Sequence, residues 1–475
     1  MPDLVRRLRE AGQERLADAL DALDGPARAR LAGQVQALDL DLVGRLVAEH
    51  VHAAGDGQEV AHELGPAEVV PLPRTDADRA REREAREAGE QALREGRVAA
   101  VLLAGGQGTR LGFDAPKGMF PFGPVTGRTL FAHHASTVEA VRARYGCELP
   151  WFVMTSPQND EDTRAFMAEN GWFGLPPASV QPFVQGTMPA VDLATGDILR
   201  EAPDRLALSP DGHGGLLSAL RRHGLLREMR DRGVSIIFTF QVDNPLVRVA
   251  RPELVGHHLL GGAEMSSVVV RKTGPAERMG VVATVDGRTA VVEYSDLPDE
   301  LAEQREADGS LRYWAGSIAV HCIDLAFAER LTEGGLRLPF HRAVKKVPYV
   351  DASGTLVRPE QPNAVKFETF IFDALPMASR AVTVEADRAE EFSPIKNADG
   401  ADSPATCRRD VIARAARWLA HAGVEVPRDA AGEPAHALEI DPRLALDPDE
   451  LAARVGPGLV IDGPAYLGPE RLPQG

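Results

Sequence analysis

The chain has 475 residues, 44% of them hydrophobic, and a formal net charge of −17. That length predicts roughly two to four domains around a large core, and the apolar content excludes a disordered chain. The acidic balance excludes the broad basic face of a nucleic-acid binder, though it leaves room for one basic pocket that takes an anion. Cys147, Cys322 and Cys407 are widely spaced, with no CxxC pair, and fit a reducing compartment without disulfides or a zinc cluster. There is no apolar run of about 18 residues to span a membrane. The opening MPDLVRRLREAGQERL lacks the apolar stretch of a secretory signal. A cytoplasmic protein without membrane or nucleic-acid partners is expected.

In chain order, Leu4, Leu8, Leu16, Leu20 and Leu23 recur on one face of a helix. Asp24-Gly25-Pro26 breaks it, and Leu31, Val35 and Leu38 resume the pattern, so residues 1–60 are predicted to be helical. Pro66, Pro71 and Pro73 mark 64–74 as an extended connection. TDADRAREREAREAGEQALREG reads as a helix capped by Thr75 and ended by Gly96, its charges a solvated face. VAAVLL (98–103) is a buried strand running into a glycine loop, and a helical stretch follows at 129–145. Then come WFVMTS as a strand, NDEDTRAFMAENG as a helix, GGLLSALRRHGLLREMRDRG (214–233) as one helix, and SIIFTFQVDN (235–244) as a strand. Strands alternating with helices predict an α/β fold with a doubly wound, mostly parallel sheet. GVVATVDGRTAVVEYS is a hairpin closed at Asp286-Gly287. Beyond about 405 lie one helix and short, proline-rich β-like pieces. The expected division is a helical region 1–96, a sheet domain 97–400 and a small C-terminal domain 401–475.

The loop VLLAGGQGTRLGFDAPKG (101–118) carries the chemistry. A strand that ends in glycines exposes backbone N–H groups at the sheet edge where α/β folds bind ligands. Gly105, Gly106 and Gly108 allow close approach, and Arg110 and Lys117 add two positive charges, a combination suited to phosphate. Neither standard phosphate motif is present. GxGxxG would need glycine where Leu111 stands, and a Walker A loop would need GK[ST] where Pro116-Lys117-Gly118 stands.

LLAGGQGTRLG and PKG together resemble the signature of the UTP-dependent sugar-1-phosphate uridylyltransferases, most nearly the eukaryotic-type UDP-N-acetylhexosamine pyrophosphorylases. PFVQGTMPAV (182–191), SPDGHGGLLSAL (209–220), QVDNPLVRVA (241–250), VVEYSDL (291–297), PNAVKFETFIFDAL (362–375) and EFSPIKNADG (391–400) continue the resemblance in order. It implies a nucleotide-sugar transferase domain at 97–400 whose substrates are UTP and a hexose 1-phosphate and whose products are a UDP-sugar and pyrophosphate. Leu103, Ala104, Gly105 and Gly106 would line the uracil and ribose, and Arg110 and Lys117 would grip the β- and γ-phosphates. Gln185 and Gly212 would read the uracil edge. Asp243, at the end of an apolar strand, would hold Mg²⁺, or Mn²⁺ in its place, against the α-phosphate. Lys366 and Lys396 would neutralise phosphates; Glu293 and Tyr294 would bond sugar hydroxyls.

Such a reaction needs no covalent intermediate and no general base, because a phosphate oxygen attacks the α-phosphorus directly. Positioning and charge stabilisation supply the catalysis. The adjacent pairs His133-His134 and His257-His258 lack metal-ligand spacing and are read as structural. One residue departs from the resemblance. The N-acetylhexosamine enzymes carry asparagine where this chain has His213, the UDP-glucose and broad-specificity enzymes carry histidine there, and the resemblance implies that this residue sits beside the sugar. The expected sugar is N-acetylglucosamine 1-phosphate, with glucose or galactose 1-phosphate as the alternative. A catalytically silent UDP-sugar sensor is disfavoured because Arg110, Lys117, Asp243, Lys366 and Lys396 are all present. A nicotinamide-dependent dehydrogenase is disfavoured by Leu111.

Overall fold

The computed structural model describes residues 2–53, 63–351 and 353–470. The chain forms two compact units, each assembled from separated segments. One comprises Glu63–Val184, Leu220–Glu333 and Ala374–Gly475; the other comprises Met1–His62, Gln185–Ala219 and Gly334–Asp373.

The first unit is built on a ten-stranded sheet. Val98–Leu103 lies at its centre, parallel to Ile236–Gln241 on one side and to Trp151–Thr155 on the other, and Val180–Val184 continues the parallel run. All six residues of VAAVLL are buried. A strand covered on both faces has no polar side to show, which is why it reads as a continuous apolar run. The expected doubly wound α/β sheet therefore forms, with antiparallel strands at Ala315–Asp324, Leu64–Pro66 and Arg288–Val292. Ala315–Asp324 runs antiparallel to both Ile236–Gln241 and Met265–Arg271, and the latter pairs in parallel with Ala381–Glu385.

Helix Asp76–Arg94 starts at Thr75 in a capping box with Asp78. It crosses helix Pro252–Leu260 so closely that a Cβ on Gly89 would lie 1.9 Å from the Pro252 carbonyl oxygen, and one on Gly256 would lie 1.7 Å from that of Ala85. The hairpin Val281–Val285/Arg288–Val292 closes where expected, with Asp286 and Gly287 both at positive φ (49° and 77°). Its first strand reaches the main sheet through Val281 opposite Gly316. The C-terminal segment packs helix Pro404–His421 over the short parallel pair Leu438–Ile440 and Ala465–Leu467, around Trp418, Leu419, Leu444 and Leu451.

The single helix expected over 214–233 is instead two, Gly215–Arg222 and Leu225–Asp231, because Gly224 turns left-handed (φ 74°) between them.

In the second unit, helices Pro2–Glu10, Glu14–Ala22, Gly25–Gln36 and Leu40–Val47 bury Leu8, Leu16, Leu20, Leu31 and Val43 against Val365 and Phe367. The expected first helix is likewise interrupted, by Gly12 at φ 71°. The remainder of the helical expectation, residues 54–60, lies outside the described residues. Strand Ala364–Thr369 is the spine of this unit, pairing antiparallel with Phe340–Lys345 and with Val191–Asp192. Among the described residues no helix is long and apolar enough to cross a membrane.

Candidate active site

The central register brings two sequence signals together. Leu103 stands beside Gln241 at the carboxyl ends of their strands, and the Val242 N–H donates to the Leu103 carbonyl at 3.1 Å. Both chains then turn outward, one into the glycine loop and the other into Asp243.

The loop is held by its own backbone. Gly108 N–H donates to the Ala115 carbonyl at 2.9 Å and Lys117 N–H to that of Gly106 at 3.1 Å. Gly112 turns left-handed (φ 67°) after the short helical turn Thr109–Leu111. A Cβ on Gly108 would lie 2.7 Å from Phe113, and one on Gly118 would lie 2.1 Å from the Phe131 ring, so the loop packs at glycine spacing. Leu103 and Ala104 are buried, Gly105 is half-buried, and Gly106 and Arg110 are exposed.

Lys117 Nζ lies 3.3 Å from Asp243 Oδ2, with 16% and 17% of the two side chains exposed. Asp243 is fastened in turn to the segment EFSPIKNADG: Ile395 N–H donates to its carbonyl at 2.8 Å, and Ser393 N–H donates to Asn244 Oδ1 at 3.1 Å. Lys396 is thereby carried alongside. Its Nζ lies 3.8 Å from Asp402 and 5.6 Å from the centre of the Phe392 ring, and its side chain is 44% exposed. Glu293 and Tyr294 follow the hairpin's second strand, Glu293 half-buried and Tyr294 exposed. Among the described residues no group of three or more His, Cys, Asp or Glu side chains could hold a metal ion. Asp243 offers one carboxylate, the kind of protein ligand Mg²⁺ takes when substrate phosphates complete its shell.

Asn159 has no distinct mark in the sequence, and the His133-His134 pair is marked there only as structural. Asn159 is buried, and its Nδ2 donates to the carbonyl of Ala104 at 2.9 Å while its Oδ1 accepts from Ser156 N–H at 2.7 Å. It stands at the N-cap of helix Asp160–Glu169, yet its side chain serves the glycine loop. His134 and His133 donate from Nε2 to the carbonyls of Val242 (3.0 Å) and Pro245 (2.8 Å), on either side of Asp243. Burial pushes the His134 imidazole down to about 4 and His133 well below its ordinary range, so both are neutral donors. His258 is buried against Ser266 Oγ and His257 meets Glu82, so all four histidines have structural partners.

The other four expected residues belong to the second unit. Gly212 takes φ 84°, and a Cβ there would lie 2.3 Å from the Thr369 carbonyl oxygen. Thr369 N–H donates to Asp211 and Gly214 N–H to Thr369, both at 2.8 Å, which stitches SPDGHGG to the end of strand Ala364–Thr369. The buried Gln185 is drawn to the same place, because Asp211 N–H donates to the carbonyl of its neighbour Gly186 at 3.2 Å. His213 stacks on Phe370, with ring centres 5.3 Å apart, and its Nδ1 accepts from Ile371 N–H at 3.1 Å. Desolvation, helped by the nearby His341, lowers its pKa to about 4. At neutral pH the ring is uncharged, and because Nδ1 accepts, Nε2 carries the proton. Lys366 lies on the same strand, half-buried, on the face opposite Val365, Phe367 and Thr369.

A glycine loop at the carboxyl end of a central parallel strand, with a lysine and an aspartate at its mouth, defines a nucleotide-binding α/β protein. Residues 53–402 match the family model described as UTP--glucose-1-phosphate uridylyltransferase. The human UDP-N-acetylhexosamine pyrophosphorylase-like protein 1 is 40% identical over 441 residues, covering 89% of this chain and 86% of that protein. The UDP-N-acetylglucosamine pyrophosphorylase of Saccharomyces cerevisiae is 36% identical over 374 residues, covering 76% of this chain and 78% of that one. The crystal structure of the uridine diphosphate N-acetylglucosamine pyrophosphorylase of Trypanosoma brucei superposes with a TM-score of 0.81 at 28% identity, covering 94% of this chain and 93% of that one. The chain belongs to the UTP--glucose-1-phosphate uridylyltransferase family and is a uridylyltransferase.

Proposed function

We propose that the enzyme makes UDP-N-acetylglucosamine and pyrophosphate from UTP and N-acetylglucosamine 1-phosphate. The observation that carries the reading is the Lys117–Asp243 pair at the mouth of the glycine loop, in a chain with relatives named UDP-N-acetylhexosamine pyrophosphorylase-like protein and UDP-N-acetylglucosamine pyrophosphorylase. In this reading the loop from Leu103 to Gly106 receives the nucleoside, and Gln185 with the backbone at Gly212 selects uracil. Lys117 and Arg110 take the β- and γ-phosphates, and Lys366 and Lys396 the remaining phosphate charge. Glu293 and Tyr294 meet the sugar. Asp243 would hold Mg²⁺, which when bound would supply charge neutralisation at the α-phosphate. A sugar-phosphate oxygen attacks the α-phosphorus in line; its bond to the bridging oxygen breaks and pyrophosphate leaves with that electron pair. Oriented cations and excluded water do the catalysis, so no protein nucleophile is required. The three free thiols, Cys147, Cys322 and Cys407, favour a cytoplasmic setting.

His213 favours a second reading of the sugar, in which glucose or galactose 1-phosphate is also used. A panel of sugar 1-phosphates with UTP and Mg²⁺, followed by pyrophosphate release, tests both readings. N-acetylglucosamine 1-phosphate should give the highest kcat/KM, and ATP or GTP should not replace UTP. Comparable rates with a purine nucleotide would overturn the assignment of the base site.

A further inference from the structure

The glycine loop does not end at Lys117. Phe120 N–H donates to the Lys117 carbonyl at 3.0 Å, and the chain then makes a small hairpin in which Pro121 bridges Thr129 and Leu130 N–H returns to the Phe120 carbonyl at 3.2 Å. That hairpin is gripped by the C-terminal segment at every level. At its tip, Glu439 Oε2 accepts from Val125 N–H (3.0 Å) and Thr126 N–H (2.9 Å), and Oε1 accepts from Thr126 Oγ1 (2.7 Å). On the returning arm, Arg128 Nη2 donates to Asp441 Oδ2 at 2.6 Å. On the outgoing arm, the carbonyls of Phe122 and Pro121 accept from Arg408 at 2.9 and 2.8 Å.

These carboxylates are costly to place. Glu439 is 4% exposed and Asp441 fully buried. Burying charge stabilises a fold weakly or not at all against an apolar alternative, but it specifies one arrangement when all its bonds are made. Glu439 spends both oxygens on a turn more than 300 residues away in sequence, eight to nine residues beyond Lys117.

We propose that Glu439 is a positioning residue for the phosphate loop: by fixing the Val125-Thr126 turn it sets the place from which Lys117 meets the nucleotide's phosphates. The C-terminal segment is then a splint for UTP binding as well as an outer layer of the fold. This rests on the proposed UTP chemistry, and the controls separate the two.

The test is steady-state kinetics with UTP and sugar 1-phosphate varied separately, alongside thermal unfolding. Glu439→Ala should raise the KM for UTP about tenfold or more and leave the KM for the sugar 1-phosphate within about twofold. Glu439→Gln, whose amide oxygen can still accept from the two N–H groups, should recover most of the loss. Thr126→Val removes one of the three bonds to Glu439, together with the bond that Thr126 Oγ1 accepts from Arg128 N–H at 3.1 Å, and should raise the KM for UTP about threefold; it decides the matter if Glu439→Ala does not fold. Asp447→Asn is the control. Asp447 lies in the same C-terminal segment and pairs with Arg144 at 2.6 Å and Arg86 at 3.2 Å without touching the hairpin. It should lower Tm while leaving the KM for UTP unchanged. Unchanged KM for UTP in Thr126→Val, and in Glu439→Ala where it folds, would overturn the proposal. So would an equal rise in Asp447→Asn, which would reduce the effect to lost stability. A wild-type enzyme that releases no pyrophosphate from UTP would instead refute the proposed function.

Discussion

Lys117 Nζ and Asp243 Oδ2 lie 3.3 Å apart, joining the end of the glycine loop to the end of the neighbouring parallel strand. Each is the other's counter-charge before substrate arrives. In the proposed chemistry a substrate phosphate would become the partner of Lys117, and Asp243 would be left to hold Mg²⁺.

Lys117→Ala should lower kcat by about a hundredfold or more, the scale on which a preorganised charge contributes to a transition state. The loop is held by backbone bonds and by Phe113 and Phe131, so Tm should fall by only about a few degrees. Turnover measured together with the unfolding midpoint checks both halves; wild-type turnover would remove Lys117 from the machinery.

Asp243→Asn keeps the shape and loses the charge. Activity should be lost and partly return at high Mg²⁺ or with Mn²⁺, because a weaker ligand needs more metal. A Mg²⁺ titration of rate in variant and wild type decides it. An unchanged half-saturation point would mean that Asp243 serves the lysine alone.

Acid should destabilise the fold before it touches the carboxylates. His258 is 2% exposed, and burial lowers its pKa to about 4 from the ordinary 6.5. Between those values the unfolded chain binds a proton that the folded chain does not. The stability is therefore fully present above 6.5 and is lost as pH falls toward 4, on the order of 1.4 kcal/mol per pH unit for one such group. Tm measured from pH 7 to 5 should fall, and His258→Asn should make the fall shallower. Parallel curves would show that this histidine is already protonated in the fold.

At His213, the Ile371 N–H consumes the Nδ1 acceptor and leaves one N–H donor. Asparagine can accept the same bond through its carbonyl oxygen and present an NH₂ in place of the ring, so His213→Asn should fold normally. The smaller side chain leaves more room for an acetamide. The ratio of kcat/KM for N-acetylglucosamine 1-phosphate over glucose 1-phosphate should rise about tenfold, one hydrogen bond's worth at roughly 1.4 kcal/mol. An unchanged ratio would assign sugar choice to other residues.

What the sequence by itself determined is what is local. VAAVLL running into glycines is a buried strand and a ligand loop wherever it sits, because apolar side chains and glycine dihedrals impose it. Thr75 with Asp78 is a cap, and Asp286-Gly287 is a turn, for reasons contained within four residues. The ordered motifs extended this to the family and its fold. Tertiary structure decided what depends on distant partners. The leucine spacing runs straight through Gly12 and Gly224, and only packing shows that both turn left-handed and cut their helices. Lys117 finds Asp243 across 126 positions, and Glu439 finds Thr126 across 313. The protonated nitrogen of His213 is chosen by a backbone N–H 158 residues away. Local dihedral preference and apolar periodicity are written residue by residue, whereas a pair of side chains far apart in sequence becomes a pair only when the sheet register sets their backbones side by side.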